Sequence, residues 1–272
     1  MGPRLKDKVA IITGAGGGFG RKMSEIFSEE GAKIVVTDFN EKTGQETVDI
    51  VKAAGGEAIF VKVDITDSES TGNMVKKAVE TFGKVDILVN NAGKQGIKYD
   101  IAHMEVDELM PFLNVNVRGT WLCIHHAAPE LVKTQGKIVN IASIAALQGS
   151  YGGSCYGVSK GAVISLTNAI ANELGLYGVR CNAISPYSAQ TEETLRLLGE
   201  EFHENRKSGN PLHRLCVAED IAYAALFLAS DESNMCNGVN LLLDGGCHVR
   251  SCPVDLESFK ANNVYEGATP LY

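Results

Sequence analysis

Val9-Ala10-Ile11-Ile12-Thr13-Gly14-Ala15-Gly16-Gly17-Gly18-Phe19-Gly20 decides the fold. Its first four residues form a short apolar run with β-branched members, which predicts a buried strand. Met23, Ile26 and Phe27 then recur at helical spacing, Gly31 ends that helix, and Lys33-Ile34-Val35-Val36-Thr37 reads as a second strand. Strand, glycine-rich turn, helix and strand within about 30 residues is the setting a dinucleotide requires. Glycines let the backbone turn tightly and come close to a pyrophosphate. The helix that follows offers free N–H groups and a positive dipole end to the phosphates. Gly14, Gly18, Phe19 and Gly20 are the candidate cofactor contacts of this turn.

Asp38 closes the second strand. A carboxylate there can accept hydrogen bonds from both adenosine ribose hydroxyls and would repel a 2′-phosphate. No Arg or Lys lies between Gly14 and Gly20, or directly after Asp38, to offset that repulsion. The expected cofactor is NAD rather than NADP. The bland alternative is a strand-end Asp on the surface.

The alternation continues down the chain. A helical stretch from Lys42 to Ala54 carries Val48 and Val51, and Ala58 to Val63 reads as a strand ending in Asp64-Ile65. Ser68 is the expected cap of a helix reaching Phe82. Val85 to Val89 is a further strand, followed by Asn90-Asn91-Ala92-Gly93. Alternating strands and helices predict an α/β fold: a Rossmann-type doubly wound parallel sheet with helices on both faces. Ligands of such sheets lie beyond the carboxyl ends of the strands, where Asp64, Ile65 and Asn91 fall. A long helix is expected from about Val106 to Val132. The strand Lys137 to Ala142 follows, with Ser143 at its end.

Tyr156 and Lys160, in Cys155-Tyr156-Gly157-Val158-Ser159-Lys160, stand four residues apart. On a helix that spacing puts both side chains on one face. A cation within about 4–6 Å of a phenol favours the phenolate and lowers a pKa that is ordinarily near 10. Such a tyrosine can take a proton from an alcohol or give one to a ketone. Any amphipathic helix with a solvated lysine can also show this pattern.

In one order the chain carries Thr13-Gly14-x-x-x-Gly18-x-Gly20, Asp64-Ile65, Asn90-Asn91-Ala92-Gly93 and Tyr156-x-x-x-Lys160. Together these resemble the short-chain dehydrogenase/reductase family in its single-domain form of about 250 residues. The resemblance runs from about Lys6 to Gly246. It implies one NAD-binding and catalytic domain over residues 1–246, followed by a C-terminal extension over 247–272 that packs on a neighbouring subunit or frays. It implies that Asn116, Ser143, Tyr156 and Lys160 are catalytic. In this scheme Asn116 holds a water that links Lys160 to solvent, and Ser143 steadies the substrate oxygen. Lys160 lowers the Tyr156 pKa and bonds the nicotinamide ribose. Thr191 matches the position that bonds the nicotinamide carboxamide. Where the family has Pro-Gly, this chain has Pro186-Tyr187, which puts close packing over the cofactor in doubt and makes Tyr187 a candidate pocket residue. The stretch Glu192 to Ser208 matches a substrate lid, and a plain surface helix is the alternative.

Composition narrows the partners. With a net charge of −8 and 44% hydrophobic residues, the chain reads as a soluble cytoplasmic protein and not as a binder of nucleic acid or of an anionic membrane. No apolar run reaches the ~20 residues of a membrane span. The seven cysteines are odd in number and form no C-x-x-C, so they read as reduced small hydrophobes. Cys155 is set apart by its place beside Tyr156. No His-x-x-x-His occurs, and no metal is expected. The expected function is NAD-dependent interconversion of a secondary alcohol and a ketone, by a homotetramer or homodimer. The small-molecule substrate is expected to be a bulky cyclic alcohol such as a hydroxysteroid, with a sugar or polyol as the rival. No Arg-rich cluster points to a phosphorylated or carboxyl-CoA substrate. An NAD-using isomerase or dehydratase, and a non-catalytic NAD-binding redox sensor, are the alternatives from other classes.

Overall fold

A computed structural model describes residues 2–96, 101–149 and 153–249. Seven parallel strands form its sheet: β1 (Val9–Thr13), β2 (Lys33–Asp38), β3 (Ala58–Lys62), β4 (Ile87–Asn90), β5 (Lys137–Ile141), β6 (Arg180–Pro186) and β7 (Asn240–Leu243). Their order is β3-β2-β1-β4-β5-β6-β7, so the winding reverses between β1 and β4. That reversal opens a crevice at the carboxyl ends of the strands.

Strand residues alternate between two buried layers, as the two-residue period of a strand dictates. Ala10, Ile12, Ile34, Val36, Ile87 and Val89 face one layer, under α1 (Gly18–Glu29), α2 (Glu41–Ala53) and α8 (Ala218–Ala229). Val9, Ile11, Val35 and Leu88 face the other, under α3 (Ser68–Phe82), α5 (Thr120–Thr134) and α6 (Ser154–Gly175). A sheet covered on both faces explains the runs of Val and Ile in place of polar alternation.

Three expectations shift. Asp67, not Ser68, caps α3: its carboxylate accepts from the Glu69 and Ser70 amides at 2.7 and 3.0 Å. Ser68 is the first helical residue, and its hydroxyl meets His126 Nε2 at 3.0 Å. Helical spacing after Tyr156 predicts Ala162, Leu166, Ala169 and Ile170 as the inner face of α6; Val163, Thr167, Ile170 and Ala171 are the residues buried there, and Ala169 is exposed. The single helix expected over 106–132 is composite. A 3-10 turn (Val106–Glu108), a short α4 (Leu109–Phe112) and a π-helical segment (Leu113–Gly119) lead into α5.

No helix among the described residues is long and apolar enough to cross a membrane. None of their His, Cys, Asp and Glu residues gather in threes to hold a metal ion. The expected subunit packing of the C-terminal extension falls largely on residues 250–272, which lie outside the described residues, as do Tyr99 and Tyr151.

Candidate active site

The glycine-rich turn is packed hard on its inner side and open on its outer side. A Cβ at Gly20 would stand 2.3 Å from the Gly14 carbonyl oxygen, and one at Gly16 2.5 Å from Thr43 Oγ1 and 2.8 Å from Asp38 Oδ2. At Gly17 such an atom would meet nothing within 4 Å, and at Gly18 only a Thr191 methyl at 3.9 Å. Gly14 and Gly18 have φ of 62° and 50°, where other residues are strained. A turn this tight, bare toward the crevice and leading into the α1 N-terminus, fits a pyrophosphate.

Asp38 lines the same crevice. Its Oδ2 accepts from the Gly16 amide at 2.9 Å and its Oδ1 from the Asn40 amide at 2.8 Å. Each oxygen keeps acceptor capacity for a ribose hydroxyl. Arg21, just past the turn, is a cation the sequence reading passed over. It is already engaged: its guanidinium donates to the Gly16 carbonyl at 2.6 Å, to Thr47 Oγ1 at 3.0 Å and to Glu46 at 3.2 Å. The local argument against a 2′-phosphate therefore stands.

Asp64 and Ile65 follow β3 at the crevice edge, with Asp64 Oδ1 turned back onto the Thr66 amide at 2.8 Å. Asn91 acts as a brace. Its Nδ2 donates to the carbonyl oxygens of Thr13 at 2.9 Å and Gly14 at 3.0 Å, which ties the end of β4 to the glycine-rich turn. Gly93 then passes so close to two candidate residues that a Cβ there would lie 3.1 Å from Asn116 Oδ1 and 3.4 Å from Lys160 Nζ.

On the far side of the reversal, β5 delivers Ser143 and α6 delivers Tyr156 and Lys160. The Tyr156 phenol and the Ser143 hydroxyl line the crevice together, and the hydroxyl is close enough to favour the ionised phenol. Ser143 is also held from below, as its Oγ accepts from the Ala145 amide at 3.2 Å. Gly157 lets α6 approach, since a Cβ there would be 2.8 Å from the Ala145 carbonyl oxygen. The electrostatics differ from expectation. Burial raises the Tyr156 pKa, and the Ser143 hydroxyl only partly opposes it. Burial lowers the Lys160 pKa to about 8. The Lys160 ammonium donates to the Ile141 carbonyl oxygen at 2.7 Å and lies 5.8 Å from the centre of the Tyr156 ring. In the ligand-free protein the net direction for Tyr156 is upward, because desolvation penalises the phenolate as it penalises the Lys160 ammonium.

Asn116 sits within the π-helical segment and is 1% exposed. Its Oδ1 accepts from the Lys94 amide at 2.7 Å, and its Nδ2 donates to the Lys94 carbonyl oxygen at 3.0 Å and to Ser159 Oγ at 2.8 Å. The side chain thus pairs with the backbone that leaves β4 and with the catalytic helix. Cys155 is buried against Met104, with its Sγ 3.0 Å from the Met104 sulfur.

The crevice roof is α7 (Glu192–Ser208), bent at Gly199, whose φ of 77° and ψ of 168° are not helical. Thr191 caps it, with Oγ1 accepting from the Thr194 amide at 3.1 Å. His203, which had no signal in the sequence, is 4% exposed and pins the bend. Its Nδ1 meets the Gly199 carbonyl oxygen at 2.7 Å and its Nε2 meets Thr194 Oγ1 at 3.3 Å. Tyr187 lines the crevice but is 8% exposed and packs into the core, where its hydroxyl donates to the Arg206 carbonyl oxygen at 3.3 Å.

A family model described as enoyl-(acyl carrier protein) reductase matches residues 14–248. The chain is a short-chain dehydrogenase/reductase. Among curated members of that family, the short-chain dehydrogenase reductase 3a of Arabidopsis thaliana is 37% identical over 256 residues, which cover 91% of this chain and 98% of the relative. Two solved short-chain dehydrogenases superpose with TM-scores of 0.86. Carveol dehydrogenase from Mycobacterium avium, in complex with NAD, is 29% identical and covers 91% of this chain and all of its own. A 7α-hydroxysteroid dehydrogenase, complexed with NADH and 7-oxo glycochenodeoxycholic acid, is 34% identical and covers 89% of this chain and 95% of its own. This short-chain dehydrogenase/reductase is accordingly an oxidoreductase.

Proposed function

We propose that the protein is an NAD-dependent dehydrogenase that interconverts a secondary alcohol and a ketone. One observation carries the reading. Ser143, Tyr156 and Lys160 line the same crevice as the glycine-rich turn and Asp38. Both structural neighbours are complexes with the same dinucleotide pair, one with NAD and one with NADH, which supports the cofactor.

Gly14, Gly18, Phe19 and Gly20 would cradle the pyrophosphate, Asp38 the adenosine ribose, and Asp64, Ile65 and Asn91 the adenine side and its supports. Lys160 would bond the nicotinamide ribose and Thr191 the carboxamide. The bound dinucleotide supplies a hydride acceptor for alcohol oxidation and a donor for ketone reduction. Ser143 Oγ holds the substrate oxygen beside the Tyr156 hydroxyl. Tyr156 takes the alcohol proton as that oxygen becomes a carbonyl, and returns it in reduction. The raised phenol of the ligand-free state makes the arrival of positive charge the trigger. The Lys160 ammonium would favour the phenolate, helped by the positive charge that a bound oxidised nicotinamide would supply. Asn116 keeps Lys94 and Ser159 in register, which holds the catalytic helix against the end of β4.

The substrate is a bulky cyclic alcohol, of which a hydroxysteroid is the leading case and a polyol the rival. Apolar side chains in a mixed wall support this, with Ile144, Val115 and Phe202 lining the crevice. Assembly as a homotetramer or homodimer is supported by large apolar side chains exposed on the helical segments around α5 and α6, Met110, Trp121 and Val158. The test is an absorbance screen for NADH formation across steroid, polyol and small cyclic alcohols, with Tyr156→Phe as control. Turnover that survives the loss of that phenol would overturn the reading.

A further inference from the structure

The crevice is divided by charge. Its acidic lining residues, Asp38, Glu46 and Asp64, all belong to the β1–β3 half, where the adenosine would lie, and Glu46 is already paired with Arg21. From Asn91 onward the described lining residues include no acid. They do include three basic side chains, Lys160, Arg196 and Arg206. In a chain of net charge −8, the half that holds Ser143 and Tyr156 is cationic.

Arg206 is the more constrained of the two arginines. Its guanidinium lies 5.3 Å from the ring centre of Tyr187 and 5.3 Å from that of Phe202. Tyr187 directly follows β6, which pairs with β5, the strand leading to Ser143. Arg206 forms no ion pair among the described residues, and its Nε is buried with no hydrogen-bond partner. A guanidinium lodged among aromatic rings keeps its donors in one plane, and such a fork matches a carboxylate or phosphate. A half-buried cation with an orphaned donor is costly unless something supplies the anion. Arg196 is exposed on the same roof helix. It precedes the Gly199 bend and Arg206 follows it.

We propose that Arg206, assisted by Arg196, forms an anion subsite in the roof of the crevice, and that the substrate alcohol carries a carboxylate or phosphate remote from its reacting carbon. This rests on the alcohol-dehydrogenase reading and gives its bulky cyclic substrate a charged group, although the sequence shows no Arg-rich cluster. The dinucleotide's pyrophosphate is an anion of the same chemistry. It is assigned to the glycine-rich turn and the α1 N-terminus, so it leaves Arg206 unmatched.

The experiment uses matched pairs. Cholate and its methyl ester, and 4-hydroxycyclohexanecarboxylate and its methyl ester, are compared as substrates of wild type, Arg206→Met and Arg206→Lys. Binding of the same four probes to the protein–NADH complex is measured by calorimetry, and NADH binding alone by fluorescence. The expected result is a preference for the free acid of at least about tenfold, in kcat/KM or in affinity, in wild type. That preference falls below about threefold in Arg206→Met through KM, and Arg206→Lys retains part of it. Equal handling of acid and ester by wild type, or no binding of either probe pair, overturns the proposal. A fall in NADH affinity in Arg206→Met that matches the fall for the acids also overturns it, because the anion would then be the pyrophosphate. Loss of turnover with the binding preference intact would count against the alcohol-dehydrogenase reading and leave the anion subsite standing.

Discussion

The ammonium of Lys160 is bonded to the carbonyl oxygen of Ile141 at 2.7 Å, not to the phenol of Tyr156. The strand that leads to Ser143 is thus also the anchor of the lysine, and one backbone segment sets both groups. The charge is held where water is scarce, and the protein is poised to release that proton near pH 8.

This has a measurable sign. The folded Lys160 pKa, about 8, lies below the ordinary 10.5. Below about pH 8 folded and unfolded chains both carry the proton, and the burial cost is present in full. Between about 8 and 10.5 the unfolded chain binds the proton and the folded one does not, so stability rises with pH. Relative to Lys160→Met, the wild type should gain up to about 3 kcal/mol across that window in urea denaturation. A difference independent of pH would show that burial does not set this pKa.

Tyr156→Phe keeps the ring and removes the proton carrier. kcat should drop by at least about 100-fold while NADH affinity changes little. Because burial raises the phenol in the ligand-free protein, wild-type alcohol oxidation should speed up with rising pH. The residual activity of the variant should lose that dependence in a pH–rate profile.

Asp38→Ser removes the carboxylate that accepts from Gly16 and Asn40. NADH should bind about tenfold more weakly, a loss on the order of 1.4 kcal/mol. NADPH should gain, since the repulsion of its 2′-phosphate is gone. Fluorescence titration with both dinucleotides gives the ratio, and an unchanged ratio would remove Asp38 from cofactor selection.

Asn116→Ala removes a side chain that is 1% exposed and takes partners from the Lys94 amide and carbonyl, while the Ser159 hydroxyl keeps only its bond to the Tyr156 carbonyl oxygen at 2.8 Å. Each orphaned group costs about 1–3 kcal/mol. Urea denaturation should show a loss of at least about 2 kcal/mol, with kcat reduced as the catalytic helix loosens. Full stability in this variant would mean that water replaces the amide at no cost.

Much of this was legible in the residues. Strand periodicity and the glycine-rich turn carry the sheet, because two buried faces demand apolar runs and a close backbone turn demands glycine. Tyr156 and Lys160 are also legible, since a four-residue helical spacing pairs them, whereas Ser143 at its strand end competes with Ser154 and is selected only by the family resemblance. What stayed hidden depended on irregular geometry or on burial. No local pattern announces the π-helical segment around Asn116. Arg196 and Arg206 are ten positions apart, and a straight helix at about 100° per residue would turn them roughly 80° from each other. The bend at Gly199 makes that reckoning fail, so a cationic roof was missed. The direction of the Tyr156 shift could not be read either, because spacing reports a neighbour's charge but not the water that both groups have lost.

The π-helical stretch over Leu113–Gly119 makes the site depend on a head count. Downstream, α5 is locked by Leu122, Cys123, Ala127 and Leu131, which cannot rotate without leaving the core. Upstream, Phe112 is equally fixed. Between these two clamps the wide coil absorbs about one surplus residue. Deleting a single amino acid there would let an ordinary helix form with both clamps satisfied, and would swing position 116 about 100° away from Lys94. The fold would survive the excision almost untouched, and the chemistry would not.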